Sequence, residues 1–565
     1  MALSLIAFDT DHIKSYVFGT DKLKEIRGAS SILDRLNRSD MKDVADKNHI
    51  EAHLIYTNGG SGLFLVDTER AKEFGERVQQ RYREKTSAGA SVTFALQELP
   101  DHIKNSSVDK IMAEDLGETL ELLRYKLRIA KNHTPDFITL PSHPFIRPCS
   151  SCGMVYAEEP SEDPAEPDAL YCASCQTKHA EDVDVRKRIP GMIRRIIRRE
   201  PLPNEYLWDR ILYYLDEAKY TVLPNTERPA DFNEFRQFTE AKEYLGLIYA
   251  DANNMGLQIE NYRELSKVKE FAETVDISVH RAMSLAIKEH LPVEKPEKDD
   301  SLPLFPFDIL LVGGDDIMLV TDAAKAMDVA LSIAREFRRL TKNQYTLSVG
   351  VILAPIKYPF GLLLKMAETT LKFAKKAGAD DRTRTKQEGV KEFDDTRINF
   401  LTVAGSSRND FNAVYNSVYY TKDKDKNEEF YASLRPYDTD KLASLLDAIR
   451  QGHALNLGRT KLHQVREAIL KKNLTTSVIE GLTVLRNWRE KQRDDVMKQV
   501  YSMARRYQSA RSNQQDPGSL FPRVIFPWFA DGKKEGRSVY RTSLLDFVEL
   551  YNFVSREGLD ESDES

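Results

Sequence analysis

Two groups of residues in this sequence have the types and spacings that do chemistry. The first is Gly313-Gly314-Asp315-Asp316, preceded by an apolar run that ends at Asp251. Carboxylates are hard oxygen donors suited to Mg2+ or Mn2+. Phosphoryl and nucleotidyl transfer use such ions to activate an attacking oxygen and to neutralise charge on the phosphate and leaving group. Gly313 and Gly314 have no side chains, so a triphosphate can come close to their backbone. The tetrapeptide alone is a weak signal, because Asp and Gly are common in turns. Together with Asp251 it predicts a two-metal nucleotidyl-transfer site, with Asp251, Asp315 and Asp316 as catalytic and metal-binding residues.

The second group is the cysteines. All four lie in Cys-x-x-Cys pairs, Cys149/Cys152 and Cys172/Cys175, with 19 residues between the pairs. That spacing fits a tetrahedral zinc site built from two knuckles. Four thiolates leave no open coordination position, so the expected Zn2+ is structural. Redox pairs or free thiols are the alternative, but no thioredoxin-like strand-to-helix context accompanies them. The intervening residues 158–168 are acidic and proline-rich, as in a surface loop.

The elements that must position the carboxylates occur twice. Leu-Ile-Ala-Phe-Asp9-Thr-Asp11-His12 parallels Leu-Ile-Tyr-Ala-Asp251-Ala-Asn253-Asn254. Each is followed by helix-like sequence and then by two short apolar runs around a glycine pair, at 53–66 and 307–320. Both predict β-hairpins. After the second hairpin, Val329, Ile333, Phe337 and Leu340 mark one face of a helix over 322–340, with Thr321 as its N-cap. A further strand follows, at 345–354 in the second copy and 91–96 in the first. This order predicts an α+β fold with two ferredoxin-like palm domains. The first copy has Gly59-Gly60-Ser61-Gly62 at its tip and no carboxylate there, so it is expected to be noncatalytic, shaping the nucleotide pocket or serving as scaffold. Beyond about residue 430 the pattern is mainly helical, as at 440–450 and 460–471, and residues 560–565 form an acidic tail.

Length and charge bound the rest. The 565 residues suggest roughly three to five domains. The 82 basic and 88 acidic residues give a net charge of −6, so nucleic acid would have to meet a local patch. One candidate is Gly191-Met-Ile-Arg-Arg-Ile-Ile-Arg-Arg199, expected to place isoleucines on one face and four arginines on the other, although such a stripe is more often a solvated helix face or a site for an acidic partner. No apolar run approaches the ~18 residues of a membrane span. The N-terminus reads as a strand with no basic leader, so a cytoplasmic protein is expected.

With these motifs in place, the chain resembles the large, polymerase-like subunit of type III CRISPR effector complexes. Gly313-Gly314-Asp315-Asp316 matches that family's second palm. Gly19-Thr-Asp-Lys-Leu-Lys-Glu-Ile-Arg-Gly-Ala-Ser30 matches a segment near the start of its first palm. The resemblance implies a first palm over 1–134, a zinc-binding inter-palm domain over 135–243, a catalytic second palm over 244–430 and a helical C-terminal domain over 431–565. It further implies RNA-guided antiviral defence, in which target RNA switches on synthesis of cyclic oligoadenylate from ATP. Guide RNA, target RNA and other effector subunits are the implied partners. The second palm also resembles diguanylate cyclases (the GGDEF type), whose Leu-x-x-Ala-Lys helix lysine contacts phosphate. Leu371-Lys-Phe-Ala-Lys375 matches, so Lys375 joins Gly313 and Gly314 as a nucleotide-binding candidate.

Two departures stand out. Many family members begin with a histidine–aspartate nuclease domain, whereas no His-Asp pair occurs here and the sequence opens at the first palm strand. The family's Asp-Gly-Asp-Asn is Asp251-Ala252-Asn253-Asn254 here, which removes a second carboxylate from that strand. An inactive scaffold subunit and a free-standing nucleotide cyclase are the alternative functions.

Overall fold

The computed structural model describes residues 2–132, 146–161, 166–238, 243–295, 302–387, 394–403, 410–423, 425–471, 473–509 and 524–556. The acidic tail, part of the 158–168 loop and the expected boundary at 134/135 lie outside them.

Two sheets carry the duplicated sequence. In the first, strand Leu3–Asp11 lies between Ser61–Asp67 and Ser91–Glu98, with Ala52–Asn58 at the edge beyond Ser61–Asp67. In the second, Tyr244–Ala252 lies between Asp316–Asp322 and Leu347–Pro355, with Phe307–Gly313 at the edge. These four-strand cores are antiparallel and share one ferredoxin-like order. Ile398–Thr402 extends the second sheet, parallel to Leu347–Pro355. The fold is therefore α+β with two palm-type sheets.

Strand Tyr244–Ala252 is buried on both faces at Leu245, Leu247, Ile248, Tyr249 and Ala250, which explains its unbroken apolar run. Helix Ala323–Leu340 buries Val329, Ile333 and Phe337 as its periodicity predicts, while Leu340 is only partly covered. Thr321 is not its N-cap. Thr321 is a buried residue of strand Asp316–Asp322, its hydroxyl donates to the Pro306 carbonyl at 2.9 Å, and Asp322 holds the cap position. The apolar run simply extends to the helix start, so the strand outlasts the expected boundary. Helix Phe360–Gln387 is brought onto Leu347–Pro355 at Gly350, where a Cβ would fall 2.8 Å from the Leu371 backbone nitrogen.

The two palms pack reciprocally. Helix Leu23–Arg35 of the first lies on strand Phe307–Gly313 of the second, and helix Leu265–His290 of the second lies on strand Ala52–Asn58 of the first. At the first contact sits a buried charge cluster. Asp308 accepts from Arg27 and from Arg228, which also reaches Asp182 at 3.5 Å. Removing one partner from such a cluster leaves a buried charge exposed to no counter-charge, at a cost of roughly 3–5 kcal/mol. Arg27 belongs to the Gly19–Ser30 stretch recognised in the sequence, and its neighbours also reach outward. Thr20 bonds the Ser151 hydroxyl at 2.8 Å, Asp21 accepts from Gly361, and Lys22 donates to the Tyr171 hydroxyl at 2.9 Å. This stretch is a joint between parts of the molecule.

The C-terminal portion contains helices Thr439–Ala454, Arg459–Leu470, Leu474–Arg486, Glu490–Ser509 and Leu544–Leu550. It also contains a sheet absent from the sequence reading, ordered Tyr420–Asp423, Glu428–Tyr431, Arg537–Arg541, Trp528–Lys534, Val524–Ile525. Most of its strands are short and carry charged residues. Glu428–Tyr431 finds its partner Arg537–Arg541 more than a hundred residues away, so local alternation gives no warning. The basic stretch at 191–199 ends helix Ala173–Arg198. Its arginines are exposed, but the isoleucines do not share one buried face: Ile193 is buried and Ile197 is 50% exposed. No helix among the described residues is long and apolar enough to cross a membrane.

Candidate active site

Strand pairing brings the three aspartates together. Asp251 lies opposite Asp316 in the register of their strands, and Ala252 donates its N–H to the Asp315 carbonyl at 3.1 Å. The turn between Gly313 and Asp316 requires a positive φ at Gly314, 62°, which glycine adopts at no steric cost. A Cβ at Gly313 would meet nothing within 4 Å, so that backbone faces open space.

The carboxylates repel one another. Burial, then the charge of Asp251, pushes Asp315 up to about 6. Burial, then Asp251 and Asp315, raises Asp316 well above the usual carboxylate range. The Asp316 Oδ1 atom is buried and has no hydrogen-bond partner. An orphaned buried oxygen beside two more carboxylates is oxygen-rich chemistry of the kind divalent cations take, although the three carboxylates do not converge to within 4.8 Å as the cysteine sulfurs do. Lys375 lies 2.5 Å from Asp251 Oδ2 and donates to the Ala252 carbonyl at 3.1 Å. It stands at the site, engaged with the strand-end carboxylate. Asn253, the neutral departure, donates to the Thr346 hydroxyl at 3.1 Å, so it braces the strand end.

The first palm repeats this geometry without the carboxylate pair. Asp9 lies opposite Ser61, the counterpart of Asp316, so Gly60 stands for Asp315. Matching the two glycine pairs by sequence is thus off by one. Asp11 accepts from Ser91 and Thr93, and Lys131 pairs with Asp9 at 2.6 Å as Lys375 does with Asp251.

The cysteines form a separate centre. Their four sulfurs lie within 4.8 Å of one another, the one such cluster of metal-ligand atoms among the described residues. Cys152 and Cys172 Sγ are 4.0 Å apart, near the ~3.8 Å edge of a tetrahedron of sulfurs around zinc. Backbone N–H groups of Ser151 and Cys172 donate to Cys149 Sγ at 3.4 and 3.3 Å. The cluster is compatible with zinc binding.

Residues 244–384 match the family described as Cas10/Cmr2, second palm domain. The chain is Cas10-like. It is 21% identical over 417 residues to the CRISPR system single-strand-specific deoxyribonuclease Cas10/Csm1 (subtype III-A) of Enterococcus italicus, covering 65% of this chain and 51% of that one. It therefore spans about half the length of the curated relative it matches. Among solved structures, it is similar to a Csm1-Csm4 cassette in complex with pppApApA, with a TM-score of 0.52 and 11% identity over 98% of this chain and 69% of that one. A Csm1 from T. onnurineus gives a TM-score of 0.50 and 14% identity, over 88% and 67%. A Csm1-Csm4 cassette in complex with cA4 gives 0.50 and 12%, over 86% and 65%. At these identities the structures show the shared fold alone, and the palm family matched by residues 244–384 supports a nucleotidyltransferase-like fold there.

Sequence reasoning did not find two charged residues around the site. Lys14, from the first palm, lies 2.9 Å from Glu368 on the helix that carries Lys375, and its charge favours ionised Asp316. Glu368 could have been found, because it lies seven residues before Lys375 and so on the same helical face. Lys14 leaves no local signal.

Proposed function

We propose that this chain is the polymerase-like subunit of a type III CRISPR effector complex and that its second palm makes cyclic oligoadenylate from ATP. The observation that carries this reading is the convergence of Asp251, Asp315 and Asp316 at the tip of a Cas10-type palm, with an orphaned Asp316 oxygen and open backbone at Gly313. The solved relatives hold pppApApA and cA4, which supports adenylate as the substrate class. The partners in this reading are other effector subunits, guide RNA and target RNA.

Asp251, Asp315 and Asp316 would hold Mg2+ or Mn2+, which when bound lowers the pKa of the attacking 3′-hydroxyl and offsets charge on the departing pyrophosphate. The open backbone at Gly313 lets the triphosphate approach. Lys375, freed from Asp251 by phosphate, supplies a positive charge to it. In each step a 3′-oxygen–phosphorus bond forms, the bond to pyrophosphate breaks, and a last intramolecular attack closes the ring. The first palm shapes the site. Zinc at the four cysteines would hold the inter-palm segment together.

The test is ATP with Mg2+ or Mn2+, the assembled complex and target RNA, followed by mass spectrometry. Asp315→Ala with Asp316→Ala is expected to abolish product while leaving zinc content and RNA binding intact. Equal product from the double variant overturns the site. No product from the assembled wild type favours an inactive scaffold, and product from the chain alone favours a free-standing cyclase.

A further inference from the structure

Residues 13–22 of the first palm reach across to the second and touch the helix that carries Lys375. Asp21 Oδ1 accepts from the Gly361 N–H at 2.6 Å. That amide is in the first turn of helix Phe360–Gln387, where no intrahelical carbonyl is available. The Phe18 and Phe360 rings meet at 6.2 Å between centroids. Lys14 Nζ lies 2.9 Å from Glu368 Oε1 and 5.2 Å from the Tyr249 ring centroid. Glu368 and Lys375 are two helical turns apart on one face. One segment therefore holds this helix at its start and again two turns before Lys375.

The segment is itself anchored from behind. Lys178 donates to the Tyr16 carbonyl at 2.6 Å, and the Thr20 and Ser151 hydroxyls bond at 2.8 Å. It is thus a strut between the cysteine-bearing region and the second palm.

The reciprocal contact shows what is particular to this half. In the second palm, the segment after Asp251 grips helix Gly117–Asn132 of the first: Arg124 donates to the Ile259 carbonyl at 3.1 Å, and Arg263 pairs with Asp115 at 2.8 Å. At the positions equivalent to Lys14 and Glu368 stand Gly256 and Arg124. The acid–base pair exists only on the half that keeps the three aspartates.

We propose that Lys14 and Asp21 are positioning residues for the site in the second palm. They set the axial and rotational placement of helix Phe360–Gln387, and so the placement of Lys375 against Asp251. Their activity readout rests on the nucleotidyl-transfer reading above. Lys14 is 52% exposed along its side chain, so losing its pair costs little stability. A shift of ~1 Å at a reacting group, by contrast, can cost about a hundredfold in rate.

The experiment uses the full chain in its assembled complex. Lys14→Ala and Asp21→Ala are each expected to lower kcat/KM for ATP about tenfold or more. Lys14→Arg and Asp21→Asn keep the charge and the acceptor, and should stay within about threefold of wild type. Lys14→Glu and Glu368→Lys should each impair the enzyme, and their combination should recover it. Separately, amide hydrogen exchange over residues 360–368 should speed up in Asp21→Ala and not in Asp21→Asn, with no nucleotide present. Unchanged kcat/KM in both alanine variants overturns the proposal. So does a charge swap that fails to recover while Lys14→Arg is active, because Lys14 would then touch the nucleotide itself. If the wild type makes no product, the nucleotidyl-transfer reading has failed and the exchange measurement decides alone: unchanged exchange in Asp21→Ala overturns the positioning role.

Discussion

Gly59 and Gly314 meet tip to tip where the two palms join. A Cβ on Gly314 would fall 2.8 Å from the Gly59 Cα, and one on Gly59 would fall 3.2 Å from the Gly314 Cα. Both have positive φ, 57° and 62°. The hairpin that presents Asp315 and Asp316 therefore rests on the tip of its counterpart, backbone against backbone.

Gly314→Ala should lower the melting temperature. The left-handed conformation alone costs an alanine ~1 kcal/mol, and the contact with Gly59 adds to it. Gly313→Ala has open space and should melt close to wild type, yet weaken ATP binding by crowding the approach to the backbone. Thermal denaturation and nucleotide titration of both variants check this. Equal melting of the two would refute the tip-to-tip packing.

Asp316→Asn should be inactive and more stable than the wild type. It removes a buried charge that burial and two neighbouring carboxylates oppose. Function-bearing strain of this kind is commonly relieved at the expense of activity. Relief of ~1 kcal/mol corresponds to a rise of about 2–4 °C for a domain of this size. Metal-free protein is the material to melt, and a lower melting temperature would contradict the electrostatic reading.

His280 should destabilise the fold as pH falls below about 6.5, opposing Asp315 and Asp316, whose raised values make their protonation favour the fold over the same range. Burial holds His280 down to about 4, against the partial opposition of Asp276. Its Nδ1 lies 2.8 Å from the Asp276 carbonyl oxygen, to which the neutral ring donates. Between these values the unfolded chain binds the extra proton, so acid favours unfolding, by about 2 kcal/mol at pH 5. Asp276, which burial would raise but His280 and Arg38 hold at about 2, adds a loss only at lower pH, below about 3.8. Urea midpoints at pH 7 and pH 5 measure the difference. His280→Gln should raise the pH 5 midpoint relative to the pH 7 midpoint, and an unchanged difference would exclude His280.

Protein purified without chelator should carry one zinc ion per chain. Cys172→Ser should lower that content and loosen the contacts of Thr20 and Lys22 with the cysteine-bearing region. Elemental analysis reads the first and hydrogen exchange over residues 16–22 the second. Full zinc content in the variant would remove Cys172 from the ligand set.

Much of this protein is legible locally. The strand ending at Asp251, the hairpin around Gly314 and the two cysteine pairs each depend on residues close in sequence, because alternation, turn conformation and metal-ligand spacing are short-range constraints. The off-by-one match between hairpins was not legible: the strand register against Asp9 and Asp251, not the glycine pair, decides which residues correspond. Nor was the C-terminal sheet as a whole: its hairpins are local, but they are joined only by the pairing of Glu428–Tyr431 with Arg537–Arg541, more than a hundred residues apart. The Lys14–Glu368 pair spans 354 residues. Only tertiary structure could bring it to the aspartates, because packing the two palms against each other, rather than any local preference, decides which charges from one half face the other.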